Sequence, residues 1–264
     1  MSIYDYRPMT VFFGVLAAVL GAVMGSFLNC AASRIVRGES FLGGRSHCMS
    51  CGHELGWTEL IPVLSWLFRR GRCRWCGSRV SVRYPLTELA FAALTALCLL
   101  RFDLTVLCLR NYIFLCCLFC LTLTDIEDMI IPDGCHIISA AAWLAALPFD
   151  FPGWGEVGLH ILAAAVFGGG LLGVSILMDK RLGRESMGGG DIKLFAVVGL
   201  YLGLVGTLFA LLLSCVIGLA VFVCVRSRRE GGQAFPFGPY IAAASAVMLL
   251  YGEPVIQWYL GLLT

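Results

Sequence analysis

Between residues 194 and 225 the chain runs without one charged side chain. A segment that crosses the hydrocarbon core of a bilayer needs about 20 mostly apolar residues. This stretch is too long for one straight span and too apolar for a water-exposed surface, and Gly203 and Gly206 mark where it divides best. Splitting it gives spans at 192–204 and 205–225. Further apolar runs lie at 10–33, 85–100, 111–124, 136–149, 157–178 and 239–263, with Arg101, Asp103 and Arg110 blurring the ends of the second and third spans. Composition agrees: apolar residues make up 59% of the 264 and charged ones 14%, and mean hydropathy is +0.86. One water-soluble core cannot hide that much apolar surface. The expected fold is an all-α polytopic membrane protein of about eight transmembrane helices. The first run is read as a retained span, because only Arg7 precedes it and its apolar stretch exceeds a signal-peptide core.

Charge placement sets an orientation. Segment 34–83 carries nine arginines against Glu39, Glu54 and Glu59. Lys180, Arg181 and Arg184 form a second basic loop, and Arg226, Arg228 and Arg229 a third. Eight spans with an outside N-terminus place all three on the cytoplasmic side, as the positive-inside tendency demands, together with 125–134. The opposite loops, 101–110 and 150–156, are mixed or acidic. The net charge of +2 says little about partners; the lipid bilayer is expected among them, and nucleic acid is not.

Eleven of the thirteen cysteines fall into two kinds. Cys98, Cys108, Cys116, Cys117, Cys120, Cys215 and Cys224 lie in apolar stretches, where a free thiol behaves as a small hydrophobe. Cys48-Met49-Ser50-Cys51 and Cys73-Arg74-Trp75-Cys76 are instead two C-x-x-C pairs separated by 21 residues. Thiolates so spaced close a tetrahedral site around zinc, and Gly52 and Gly77 suit the tight turn after each pair. Two disulfides or a redox dithiol pair are the alternatives, disfavoured in a reducing compartment. Four thiolates leave no open position, so the expected zinc is structural and supplies folding energy to a small, arginine-rich domain. His47 and His53, beside the first pair, read as solvated loop residues.

Acidic residues at the edge of apolar spans call for a reason. Asp125 follows Leu121-Thr122-Leu123-Thr124 directly, with Asp128 and Asp133 beyond it and Ile130-Ile131-Pro132 between these two. The bland reading, strongest for Asp128 and Asp133, is a span cap in headgroup water; His136 reads as interfacial. On the same expected face, Met187-Gly188-Gly189-Gly190-Asp191-Ile192-Lys193-Leu194 puts a carboxylate at the opening of an apolar helix. The glycines Gly188, Gly189 and Gly190 are expected to allow positive φ and close approach of another segment. Two carboxylates brought together share a proton, so one can deprotonate water while the other protonates a scissile amide. That is aspartic-protease chemistry carried by Asp125 and Asp191. Intramembrane acids also serve proton- or cation-coupled transporters, the leading alternative, although no internal repeat of the transporter kind is visible. A scaffold recruiting partners through the zinc loop leaves both acidic motifs unexplained.

Beyond single motifs, the order of several resembles one family. Gly25-Ser26-Phe27-Leu28-Asn29 with Arg34, then the paired C-x-x-C loop, then Arg83-Tyr84-Pro85-Leu86-Thr87-Glu88-Leu89, resemble the type IV prepilin peptidases, membrane aspartic proteases of the GxGD kind. Asp125 with Ile131-Pro132-Asp133, the glycines before Asp191, and Phe237-Gly238-Pro239 continue the likeness to about residue 239. Asp128 is the one departure, where a neutral residue is expected; Asp125 is preferred as lying nearer the apolar run. The resemblance implies cleavage of prepilins or type II secretion pseudopilins at the inner membrane by Asp125 and Asp191. It also implies N-methylation of the new amino terminus with S-adenosylmethionine, whose site no motif marks. The expected division is a first span at 1–33, a cytoplasmic four-cysteine zinc domain at 34–84, and a membrane-embedded protease domain at 85–264.

Overall fold

The computed structural model describes residues 7–40, 43–183, 186–226 and 235–262. Arg184, Arg228 and Arg229 of the expected basic loops lie outside them. Among the described residues eight α-helices follow one another: α1 (Arg7–Val36), α2 (Leu64–Phe68), α3 (Arg83–Phe102), α4 (Val106–Asp128), α5 (Asp133–Ala146), α6 (Trp154–Leu182), α7 (Gly189–Arg226) and α8 (Gly238–Gly261). Among the described residues extended pairing is confined to two isolated antiparallel bridges, His47 with Glu54 and Arg72 with Arg79.

Six of these helices (α1, α3, α4, α6, α7 and α8) are long and apolar enough to cross a membrane. Their outer faces are lined by exposed Leu208, Leu212, Val216 and Leu219 on α7 and by Leu159, Leu162 and Val166 on α6. Water does not tolerate such continuous apolar faces, and acyl chains do. The chain is a multi-pass membrane protein. Each of the eight apolar runs is helical, with two qualifications of geometry. The runs at 192–204 and 205–225 share one helix, broken at Gly203, whose φ of 63° and ψ of −171° are not helical. The run at 136–149 yields α5 with 14 residues, about 21 Å at 1.5 Å per residue against a hydrocarbon core of about 30 Å.

The chain divides into two compact units, Met1–Tyr112 and Ile113–Thr264. In the first, α1 lies along α3. Gly21 and Gly25, one turn apart, permit the approach: a Cβ on Gly21 would stand 2.9 Å from Ala92 Cα, and one on Gly25 3.2 Å from Glu88 Cα. Small residues at this spacing are the usual means of bringing two membrane helices into contact. Buried Asn29 then locks the register, donating to the Gly25 carbonyl (3.1 Å) and to Thr87 Oγ1 (2.5 Å). In the second unit α7 packs along α6 and α8 and touches α5. Its core includes Phe114 stacked on Tyr201 at 3.9 Å, and the Tyr201 hydroxyl donates to the Ser139 carbonyl at 2.8 Å.

Candidate active site

Helix α4 ends at a carboxylate that has left water. Asp125 is 4% exposed, one turn above the point where Met129 adopts a left-handed φ of 54° and stops the helix. Its Oδ2 accepts a hydrogen bond at 2.9 Å from the backbone N–H of Gly238, at the start of α8. That amide is one of the donors a helix N-terminus leaves without an internal partner, and such donors favour an anion. Asp128, on the same helix, is exposed. Burial thus separates the two acids as the apolar run did.

Asp191 sits in the first turn of α7, half-buried, with its N–H donating to the Gly188 carbonyl at 3.1 Å. It lies within Coulombic reach of the Asp125 carboxylate. Its Oδ1 is buried with no hydrogen-bond partner among the described residues. A buried acceptor left unsatisfied costs about 1–3 kcal/mol, and such atoms are kept where a reacting group or water is to dock.

The three glycines before Asp191 play unequal parts. None of them has a positive φ, which corrects half of the expectation. Close approach is the half that the structure contains, and it falls on Gly190. A Cβ there would stand 2.8 Å from Cβ of Ile131, whereas Gly189 faces open space and Gly188 approaches only the Asp191 carboxylate, at 3.4 Å. Ile131 is the hub: its Cδ1 lies 3.3 Å from the position of a Cβ on Gly238 as well, and that same Cβ would meet Asp125 Oδ2 at 2.8 Å. The segment after α4 and the starts of α7 and α8 therefore converge on one side chain, with Asp125 seated on Gly238 and Asp191 next in sequence to Gly190.

Asp133 is exposed and pairs with Lys193 at 2.7 Å. The Lys193 ammonium holds its carboxyl below the ordinary range. His136, read from sequence as interfacial, is buried, its Nε2 without a hydrogen-bond partner among the described residues. Gly238 is the residue that sequence reasoning missed. Its position before a proline at a helix start was visible, but nothing local shows that its N–H reaches a carboxylate 113 residues away.

In the first unit, Cys48, Cys51, Cys73 and Cys76 bring their sulfurs within 4.8 Å of one another. Each pair is held by the same turn. Cys48 N–H donates to the His53 carbonyl and Gly52 N–H to Cys48; Cys73 N–H donates to Ser78 and Gly77 N–H to Cys73, at 2.8–3.1 Å. Gly52 and Gly77 have φ of +71° and +70°, the left-handed values these turns require. The N–H groups of Ser50 and Cys51 hold the Cys48 thiol down, to about 6. A zinc tetrahedron with bonds of about 2.3 Å has edges of about 3.8 Å, and Cys48 Sγ stands 3.9 Å from Cys76 Sγ. The donor set fits structural zinc. His53 instead stacks on Trp75 at 4.1 Å.

Comparison with known proteins gives two family matches. The Bacterial Peptidase A24 N-terminal domain covers residues 19–102, and the Type IV leader peptidase family covers 112–223. The Prepilin leader peptidase/N-methyltransferase of Bacillus subtilis (strain 168) is 34% identical over 251 residues, covering 92% of this chain and 96% of its own length. The protein of that name from Pseudomonas putida is 33% identical over 280 residues, with 97% and 96% covered. The chain belongs to the type IV leader peptidase family. No solved structure matches it. In this family member the N-terminal match contains the whole four-cysteine loop, and the second match contains both Asp125 and Asp191. Gly238 lies past the end of the leader peptidase match, so that segment alone omits a partner of its first buried carboxylate.

Proposed function

We propose that the chain is a prepilin peptidase whose catalytic residues are Asp125 and Asp191, acting at the cytoplasmic face of the inner membrane. The observation that carries this reading is the pair of carboxylates set at neighbouring helix ends, one seated on the Gly238 N–H and one with a buried oxygen unpartnered. One carboxyl takes a proton from water as the oxygen adds to the scissile carbonyl; the other gives its proton to the leaving amine. No metal enters that step. Substrates are prepilins or pseudopilins held in the same bilayer, so the cut falls where their leader meets the membrane surface.

The cleaved product presents a new α-amine, and N-methylation by S-adenosylmethionine is the second activity proposed. That donor supplies an electrophilic methyl group: nitrogen gains the methyl, sulfur keeps the electron pair of the broken C–S bond, and one proton leaves to solvent. The four-cysteine loop within 34–84 is proposed as a cytoplasmic zinc domain serving structure, and 85–264 as the protease domain.

Incubation of the purified protein with a prepilin, read by intact mass, tests the reading. Loss of the leader with a further gain of one methyl is expected. A substrate left at full length overturns the peptidase assignment and favours a transporter.

A further inference from the structure

The aspartyl chemistry leaves two sequence motifs without work: Gly25–Asn29 with Arg34, and Arg83–Leu89. Both lie in the first unit, and both line one cleft of about 420 Å³ between α1, α3 and the four-cysteine loop. Its polar wall, rich in arginine, includes Asn29 and Arg34 of α1, Tyr84 and Glu88 of α3, and Trp66 and Arg69 of the loop. Resting on the methyltransferase reading above, we infer that this cavity is the binding site of the S-adenosyl methyl donor.

Size is the first argument. Small-molecule sites run from about 300 to 1,000 Å³, and this one has room for a single nucleoside-sized ligand.

Charge is the second. Arg34 and Glu88 are 8% and 7% exposed, and neither is neutralised by the other among the ion pairs of the described residues. Charges are seldom buried without a partner, since desolvation costs several kcal/mol per ion. Arg34 spends donors on the Gly43 and Gly44 carbonyls, out of the five that a guanidinium carries. One Glu88 oxygen accepts the Val63 N–H at 2.7 Å. What these bonds leave over matches the donor part by part. A guanidinium forks onto the carboxylate of an amino-acid tail. A carboxylate accepts from ribose hydroxyls, as acidic residues do in dinucleotide sites. Tyr84 and Trp66 offer aromatic faces to adenine or to the sulfonium cation. The indole is fixed for this by its own Nε1–H, which donates to the Val80 carbonyl at 3.1 Å.

Position is the third argument. The cavity reaches Cys48 and Cys73, so the loop that zinc folds is one of its walls. The metal then supports methyl-donor binding without touching the donor.

Full-length, zinc-loaded protein in detergent is titrated by equilibrium dialysis with S-adenosylmethionine and with its demethylated thioether product. A photoactivatable azidoadenosine form of the donor is mapped by peptide mass. Glu88→Gln, which keeps an acceptor for Val63, and Tyr84→Ala are each expected to weaken binding at least tenfold. Zinc content and prepilin cleavage should stay near parent levels, and cross-links should fall on peptides within 57–88. Should Glu88→Gln fail to insert, Tyr84→Ala carries the test, since that side chain is 42% exposed. Parent affinity in both variants, or cross-links confined to 113–262, overturns this site while leaving the methyltransferase reading intact. A parent protein that cleaves prepilin but neither binds nor transfers methyl overturns both.

Discussion

Asp125 and Asp128 are three residues apart on one helix, and only one of them has been taken out of water. Asp125→Asn and Asp191→Asn are expected to lower cleavage by about 10³-fold or more, within the range that general acid–base groups contribute. Asp128→Asn should stay within a few-fold, measured as prepilin cleaved per inserted enzyme. A sharper test uses glycines. Gly190→Ala puts a methyl 2.8 Å from Ile131 Cβ, and Gly238→Ala puts one 2.8 Å from Asp125 Oδ2. Each is expected to cost cleavage more than tenfold, whereas Gly189→Ala, facing open space, should be nearly silent. Equal losses at Gly189 and Gly190 would show that loop flexibility, not contact, is what matters. Asp133 is lowered by Lys193, so its stabilising effect is complete above its unfolded value of about 4 and fades only as pH falls below that. Lys193→Gln should therefore leave the pH profile of activity unchanged above pH 5. Asp125 stood out in the sequence as a carboxylate at the end of an apolar run, and Asp191 as one that follows three glycines at the opening of another. Gly238 did not, because its role lies in a backbone N–H that every non-proline residue possesses.

At the level of elements, the break in α7 and the turns of the four-cysteine loop share a cause, glycine at a positive φ that strains most other residues. The φ and ψ of Gly203 lie in a region populated almost solely by glycine, where a side chain costs about 1–3 kcal/mol. Gly203→Ala is expected to lower the unfolding midpoint in detergent by about 3–10 °C, while Gly169→Ala in α6, with room for a Cβ, does not lower it. An unchanged midpoint in Gly203→Ala would mean that α7 can run straight. Length called for this break, since no single straight span can hold so long an apolar run, and Gly203 and Gly206 marked its place. Sequence overstated α5, because hydropathy continues through Leu147 to Phe149 while the helix ends at Ala146. The two cysteine knuckles were legible in full, each needing only local spacing and one glycine. Cys73→Ser is expected to empty the metal site and to impair methylation more than cleavage. Elemental analysis beside both rates, at matched membrane levels, decides the matter; loss of cleavage to the same degree would contradict separable functions.

For the molecule as a whole, orientation is the open quantity that arginine counts address. A membrane-impermeant thiol reagent on intact cells should miss Cys48, Cys51, Cys73 and Cys76, and should reach Thr105→Cys in the exposed α3–α4 loop. The reverse pattern of labelled peptides would invert the protein. The hydrogen bond from Gly238 to Asp125 has a consequence in time. The two residues are 113 positions apart, and a ribosome adding about 5–20 residues per second needs about 6–23 s to travel between them. Throughout that interval the nascent chain already carries Asp125, and later Asp191, in the membrane, without the amide that seats the first. On the proposed assignment of Asp125 and Asp191, proteolytic competence is expected only once the last helix has supplied that amide. A half-made enzyme would then be unable to cut whatever the translocon is inserting beside it, and a chain ending before residue 238 is expected to leave a prepilin at full length.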